Sequence, residues 1–224
     1  MIPVNKITLA FEPGRPFALI GPNGAGKSSY LKICVGIYSL DDGFIHIDGR
    51  DVTRAPIFER VHLGMAVKNQ KPQVFGELAV IDNLWIAANS RLRDDAKANQ
   101  VAAQILSMLG LELQSDVQAS ALSHGQQQWL DIGMVLGLAP RIVLLDEPAA
   151  GMTNEETREL SKLVKILAKH TTVVVVEHDM EFVRTLEGHV TVLHQGEVFA
   201  EGTIDTLRAD DRVLDIYLGR RARV

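Results

Sequence analysis

A glycine-rich segment near the start of the chain has the residues needed to bind phosphate groups. Residues 21–28 fit the spacing G-x-x-x-x-G-K-[ST]. Glycines let backbone N–H groups converge on phosphate oxygens, because no Cβ stands in the way. Lys27 can reach the β- and γ-phosphates of a nucleotide, and the Ser28 hydroxyl can ligate Mg²⁺. The predicted nucleotide-binding residues are Gly21, Pro22, Asn23, Gly24, Ala25, Gly26, Lys27, Ser28 and Ser29.

Two acidic residues follow a short apolar run later in the chain. Residues 142–145 are typical of a buried strand, and Asp146 and Glu147 come directly after them. Ligands of open α/β sheets bind at the carboxyl ends of the strands. Asp146 is therefore placed to hold Mg²⁺, directly or through water, and Glu147 could polarise a water for in-line attack on a γ-phosphate.

A histidine follows another apolar run of the chain. Residues 171–176 are rich in β-branched side chains, and His178 follows them at what we expect to be the same sheet edge. A histidine there can donate a hydrogen bond to a γ-phosphate oxygen. The other six histidines lack metal-ligand spacing, so we predict no metal site built from them.

The elements that position these residues alternate between strands and helices. Phe17 to Ile20 form an apolar run before the glycine-rich segment, and residues 29–35 have a helical pattern after it. Residues 82–138 are mostly helical in pattern, and residues 190–200 are typical of a hairpin that turns at Gln195 and Gly196. The alternation predicts an α/β fold with a mainly parallel sheet.

Composition narrows the possible classes of protein. The 224 residues, 46% of them hydrophobic, suit one large domain, with or without a subdomain. The net charge of −5 and the lack of a long basic run argue against a nucleic-acid partner. The single cysteine, Cys34, excludes a disulfide framework. Without a signal-peptide pattern or an apolar run of about 20 residues, we expect a cytoplasmic protein that reaches a membrane only through a partner.

The order of the motifs resembles that of the ATP-binding subunits of ABC transporters, over essentially the whole chain. Besides the phosphate loop, the acidic strand end and His178 as the switch histidine, three more segments match the family. They are Gln70 of the glutamine loop, residues 122–126 of the signature motif, and residues 149–152 of the loop that links two subunits. His124 stands in the signature motif where many members carry glycine.

The resemblance implies the P-loop NTPase fold of ABC ATPases in a single domain, 1–224. We expect residues 1–81 and 140–224 to form a mainly parallel core with a small antiparallel β portion, and residues 82–139 to form an inserted helical subdomain. Residues 148–153 are similar to those of importers for hydrophobic and branched-chain amino acids. Residues 70–75, 122–130, 175–183 and 216–219 are more similar to the D subunit of urea and short-chain amide importers, which predicts urea as the cargo, with branched-chain amino acids as the alternative.

The resemblance also assigns roles to single residues. Glu147, His178 and Gln70 would be catalytic; Ser28, Gln70 and Asp146 would hold Mg²⁺; and Ser123, His124, Gly125 and Gln126 would close over the ATP of an opposite subunit. The implied partners are permease subunits, which would dock on residues 75–86, a second ATPase subunit, identical or not, and indirectly a periplasmic binding protein. The protein would then be peripheral on the cytoplasmic face of the membrane.

The chain departs from the family in two places. Members carry an aromatic residue that stacks on adenine upstream of the phosphate loop, and no residue here can take that role. Either the true start lies further upstream or adenine is held less tightly. Asn69 stands where relatives mostly carry an aromatic residue. Two other functions stay open as alternatives, namely a non-transport ABC ATPase and a small-molecule kinase; the latter leaves residues 122–126 and His178 without a role.

Overall fold

The computed structural model of the chain describes residues 4–218. The predictions that involve Met1 and Gly219 lie outside these residues. The strands are β1 (Phe17–Ile20), β2 (His46–Ile47), β3 (Arg50–Asp51), β4 (Met65–Lys68), β5 (Ile142–Asp146), β6 (Thr172–Val176), β7 (His189–His194) and β8 (Glu197–Gly202). The α-helices are α1 (Lys27–Val35), α2 (Ile57–His62), α3 (Val80–Leu92), α4 (Asp95–Met108), α5 (His124–Gly137), α6 (Asn154–Ala168), α7 (Met180–Leu186), α8 (Ile204–Arg208) and α9 (Asp211–Leu218).

The main sheet has the strand order β4-β5-β6-β1-β7-β8. The first five strands are parallel, and β8 runs antiparallel to β7. The predicted hairpin at residues 190–200 is thus β7 and β8. Because β4, β5, β6 and β1 are parallel neighbours, the loops that follow them emerge side by side at one sheet edge.

A second, two-stranded sheet pairs β2 with β3 in antiparallel fashion. Asp48 and Gly49 connect the two strands with positive φ angles of 49° and 76°, as tight hairpins of this twist require. The predicted α/β fold, with a mainly parallel sheet and a small antiparallel β portion, is confirmed.

The main sheet is covered on both faces, which explains the run of four valines in β6. Val174 and Val176 face a core shared with Leu31 of α1, whereas Val173 and Val175 face a core shared with Leu160 of α6. Side chains alternate between the two faces of a strand, so a strand buried on both faces is apolar throughout.

Helices α3, α4 and α5 pack around a third core, which includes Leu84, Ile105 and Leu130. Side chains pack directly against Gly133, where a Cβ would lie only 2.6 Å from the Leu109 side chain and 2.8 Å from the Leu84 side chain. Helix α5 also contributes Ile132 to the core under the sheet. The helical pattern predicted for residues 82–138 is therefore found as three helices, and the division of the chain at 81/82 and 139/140 stays a prediction.

Two capping boxes fix the starts of long helices near the sheet edge. Thr153 begins α6, donating its N–H to Glu156 Oε2 at 2.7 Å and accepting the Glu156 N–H at 3.3 Å. Ser123 begins α5 in the same way with Gln126. Such pairs satisfy N–H groups that the first turn of a helix leaves free. Within residues 4–218, none of the helices combines the length and the apolar character that a bilayer crossing requires.

Candidate functional site

The glycine-rich loop joins β1 to α1, as the sequence predicts. A Cβ at Gly21 would lie 2.2 Å from the Leu193 carbonyl oxygen, so only glycine fits where the loop passes β7. Gly26 caps α1 with a φ of 105°, a conformation that glycine adopts at little cost. The N-terminus of α1 therefore opens into the loop, and its free N–H groups make an anion-binding site.

Lys27 is buried within this loop. Its Nζ donates to the carbonyl oxygens of Gly21 at 2.6 Å and Pro22 at 3.1 Å. Burial lowers the pKa of Lys27, and the nearby carboxylates of Glu147 and Asp146 oppose that shift. The ammonium group is thus fixed at the mouth of the phosphate loop and faces the two acids that end β5.

Asp146 and Ser28 line the same small cavity, together with Asn69. Burial raises the pKa of Asp146, and the charge of Glu147 adds to that effect while Lys27 opposes it. A hydroxyl and a carboxylate are oxygen donors of the kind that Mg²⁺ takes alongside phosphate and water. No cluster of three or more His, Cys, Asp or Glu side chains that could hold a metal occurs in the described part of the chain. The donor set fits an ion bound together with a nucleotide.

Glu147 lies between the other two predicted catalytic residues. Its Oε2 accepts a 2.7 Å hydrogen bond from Gln70 Nε2, and its Oε1 lies 3.4 Å from His178 Nδ1. The Glu147 backbone has a φ of 45°, and its N–H donates to the Val176 carbonyl at 2.9 Å. Three loops from three adjacent strands therefore converge on one carboxylate. The predicted contact of Gln70 with Mg²⁺ stays a prediction.

A second carboxylate, Glu177, supports these loops from beneath. It is buried, its Oε1 accepts the Ala149 N–H at 3.1 Å, and its Oε2 accepts the His178 N–H at 3.1 Å. Burial raises its pKa, against the effect of these backbone hydrogen bonds. Glu177 has no role among the predictions from sequence, although an acid directly after four buried valines is a signal for one.

The signature residues form a separate group at the start of α5. Ser123 and Gln126 bond to each other through the capping box. A Cβ on Gly125 would lie 2.7 Å from Glu156 Oε1, and one on Gly151 would lie 2.4 Å from the His124 ring. The described structure thus places this group against α6 and the 149–152 loop, whereas Lys27, Asp146, Gln70, Glu147 and His178 share one site.

Three more polar residues, which the sequence patterns do not single out, lie behind the site. Gln128 of α5 is fully buried beneath the Gln70 loop, and Lys68 of β4 forms a buried ion pair with Asp131 of α5 at 3.9 Å. Their only signal was their polarity at positions where the patterns of α5 and β4 face the core.

The sequence also matches a known protein family. Residues 4–150 match the model of the family described as ABC transporter. The chain is 32% identical to the high-affinity branched-chain amino acid transport ATP-binding protein BraF of Pseudomonas aeruginosa. It is 33% identical to the corresponding protein LivG of Escherichia coli strain K12. Both alignments cover 98% of this chain and 92% of the relative.

Solved structures give the same result. The chain superimposes with a TM-score of 0.86 on a nucleotide-free ATP-binding cassette from an ABC transporter, at 27% identity. That superposition covers 97% of this chain and 93% of the other. A dimeric structure of a bacterial ABC transporter cassette matches with a TM-score of 0.82 at 25% identity, over 90% of each chain.

Proposed function

The chain belongs to the ABC transporter family as an ATP-hydrolysing subunit, and from this premise we propose that Glu147 is its general base and that it energises an importer of amino acids. The position of Glu147, held on both oxygens by Gln70 and His178 at the mouth of the phosphate loop, carries the catalytic part of the proposal.

The residues of the site divide the work of phosphoryl transfer to water. The loop N–H groups and Lys27 bind and orient the phosphates. Ser28 and Asp146 would hold Mg²⁺, which would neutralise charge on the β- and γ-phosphate oxygens. Glu147 accepts the proton of the attacking water. Gln70 and His178 keep its carboxylate in place, and His178 can also donate to a γ-phosphate oxygen.

The signature residues act in this scheme on a second ATP. Ser123, His124, Gly125 and Gln126 begin a helix of 14 residues, whose free N–H groups favour an anion. Their contacts are with Glu156 and the 149–152 loop, not with Lys27, so we infer that the phosphate they bind belongs to an opposite ATPase subunit, identical or related. Closure of the pair then depends on the γ-phosphate, and hydrolysis opens it.

The segment after Gln70 provides the link to a permease. Phe75 and Leu78 expose apolar side chains there. The buried Asn83 of α3 fixes the loop, accepting the Phe75 N–H at 2.7 Å and donating to its carbonyl at 3.1 Å. A permease loop that docks on residues 75–86 would move Gln70, and with it Glu147. This docking makes the subunit peripheral on the cytoplasmic face of a membrane, with a periplasmic binding protein as an indirect partner.

Two classes of cargo are supported by different observations. The similarity to BraF and LivG over nearly the whole chain favours branched-chain amino acids. Residues 70–75 and the signature segment with Trp129 favour urea and short-chain amides. The first class has the broader support, so we take it as the proposed cargo and keep the second as the alternative.

Purification of the tagged chain from its native membrane, followed by reconstitution with the permeases and binding protein that accompany it, tests both parts. ATP hydrolysis should rise with leucine or isoleucine, and the Glu147→Gln complex should not respond. A rise with urea or acetamide instead would identify the alternative cargo. Recovery without any permease would contradict the transport function.

A further inference from the structure

Gln128 occupies a fully buried position from which its amide faces three functional segments. Its Nε2 lies 3.4 Å from the Gln70 carbonyl oxygen, 3.3 Å from the Ala150 carbonyl oxygen and 3.5 Å from His124 Nε2. Gln70 belongs to the glutamine loop, Ala150 to the 149–152 loop, and His124 to the signature motif. One side chain therefore contacts all three segments.

The number of hydrogens does not match the number of acceptors. An amide nitrogen carries two N–H donors, whereas the carbonyls of Gln70 and Ala150, together with His124 Nε2 in the tautomer that carries its proton on Nδ1, make three acceptors. The three distances are also longer than in a well-formed hydrogen bond. A shift of one segment toward Gln128 must therefore weaken its contact with another.

The oxygen of the same amide is not engaged in another interaction. Gln128 Oε1 is buried and finds no hydrogen-bond partner among the described residues. A buried acceptor without a partner costs free energy, so the side chain is poorly suited to a purely stabilising function. A nonpolar side chain of the same length would remove this unpaired oxygen, which offsets the loss of the long contacts to the Gln70 and Ala150 carbonyls.

We propose that Gln128 is a positioning residue that couples the glutamine loop, the 149–152 loop and the signature motif by sharing two donors among three acceptors. This rests on the proposed roles of Gln70 and the signature residues. When a nucleotide or a permease moves the Gln70 backbone, the Gln128 amide redistributes its hydrogen bonds. The positions of the 149–152 loop and of the signature motif, which contacts the ATP of the opposite subunit, then change as well.

The test compares Gln128→Met with Gln127→Met. Gln127 is the neighbouring glutamine, and among the described residues its amide bonds to the carbonyl oxygens of Ala119 and Leu122. Gln128→Met should lower kcat for ATP hydrolysis by about 3- to 30-fold, with KM for MgATP and the unfolding midpoint close to wild type. Gln127→Met should leave kcat unchanged. Equal kcat values for Gln128→Met and wild type, or equal losses in both variants, would overturn the proposal.

Hydrogen exchange provides a readout that a packing role would not change. In the wild type, a non-hydrolysable ATP analogue with Mg²⁺ should slow exchange in residues 69–73, 122–127 and 148–152 with one common midpoint. In Gln128→Met, the response of residues 69–73 should persist while that of 148–152 is lost. If the three segments of the wild type respond with different midpoints, the coupling is contradicted. This result does not depend on whether the variant folds. If no segment of the wild type responds, the proposed nucleotide site itself has failed.

Discussion

Gln70 and Glu147 are 77 positions apart in the chain, yet the Gln70 amide donates a 2.7 Å hydrogen bond to the Glu147 carboxylate. The contact forms because β4 and β5 are parallel neighbours, so that the loops after them emerge together. Glu147 Oε1 lies near His178 on its other side. The orientation of the proposed base therefore depends on a loop that continues into the proposed permease-docking segment.

Glu147→Gln should keep ATP binding and lose most hydrolysis. An amide of the same shape cannot take a proton from water, so kcat should fall by about 10²- to 10⁴-fold. Steady-state hydrolysis and equilibrium binding of MgATP measure the two effects separately. Glu155→Gln, at an exposed site on α6, is the matched control. Wild-type turnover in Glu147→Gln would show that another group accepts the proton.

Lys27→Ala should weaken nucleotide binding itself. The variant loses a buried cation whose Nζ is fixed by the Gly21 and Pro22 carbonyls. A hydrogen bond from such a cation to a phosphate oxygen contributes about 1.5–3 kcal/mol. We expect the Kd for MgATP to rise by about tenfold or more. Titration of a fluorescent ATP analogue measures it, with the exposed Lys162→Ala as the control. An unchanged Kd would remove Lys27 from the binding site.

The sequence predicts those parts of the fold and of the site that depend on a local pattern of residues. Residues 21–28 specify a phosphate loop by spacing alone, and the apolar runs before Glu147 and His178 specify buried strands. The contacts of Gln128 with Gln70 and of Lys68 with Asp131 depend instead on how α5 packs against β4, which no local pattern encodes. Short helices such as α2 and α7, with six and seven residues, also lack enough turns to show a helical period.

The buried pair of Lys68 and Asp131 should be replaceable only as a pair. Lys68 is fully buried, its Nζ lies 3.9 Å from Asp131 Oδ2, and it donates to the Asn69 carbonyl at 2.8 Å. Lys68→Met alone leaves a buried carboxylate without its counter-charge and should cost about 3–5 kcal/mol of unfolding free energy at pH 7. Asp131→Leu added to it should recover much of that loss.

Urea denaturation of the wild type, both single variants and the double variant gives the coupling energy of the pair. Additive losses in the double variant would mean that the two charges do not interact. The outcome also bears on the glutamine loop, because Lys68 donates to Asn69, the residue before Gln70.

Protonation of Asp131 should stabilise the folded protein as the pH falls from neutral. Burial raises the pKa of Asp131 to about 6 from an ordinary value of 3.8. Below pH 6 the folded protein takes up a proton that the unfolded chain does not bind until near pH 4, so protonation favours the folded state. This contribution is fully present below pH 3.8 and is lost as pH rises through about 6. Over that range it amounts to about 1–3 kcal/mol.

Asp131→Asn removes the titrating group, so the measurement is the difference in unfolding free energy between wild type and Asp131→Asn at pH 7, 6 and 5. The difference should shift in favour of the wild type at each step down in pH. Asp116→Asn, at an exposed site, should show no such trend with Asp131 intact. A difference that stays constant from pH 7 to pH 5 would mean that Asp131 is already fully ionised at pH 5 in the folded protein, and that Lys68 compensates its burial completely.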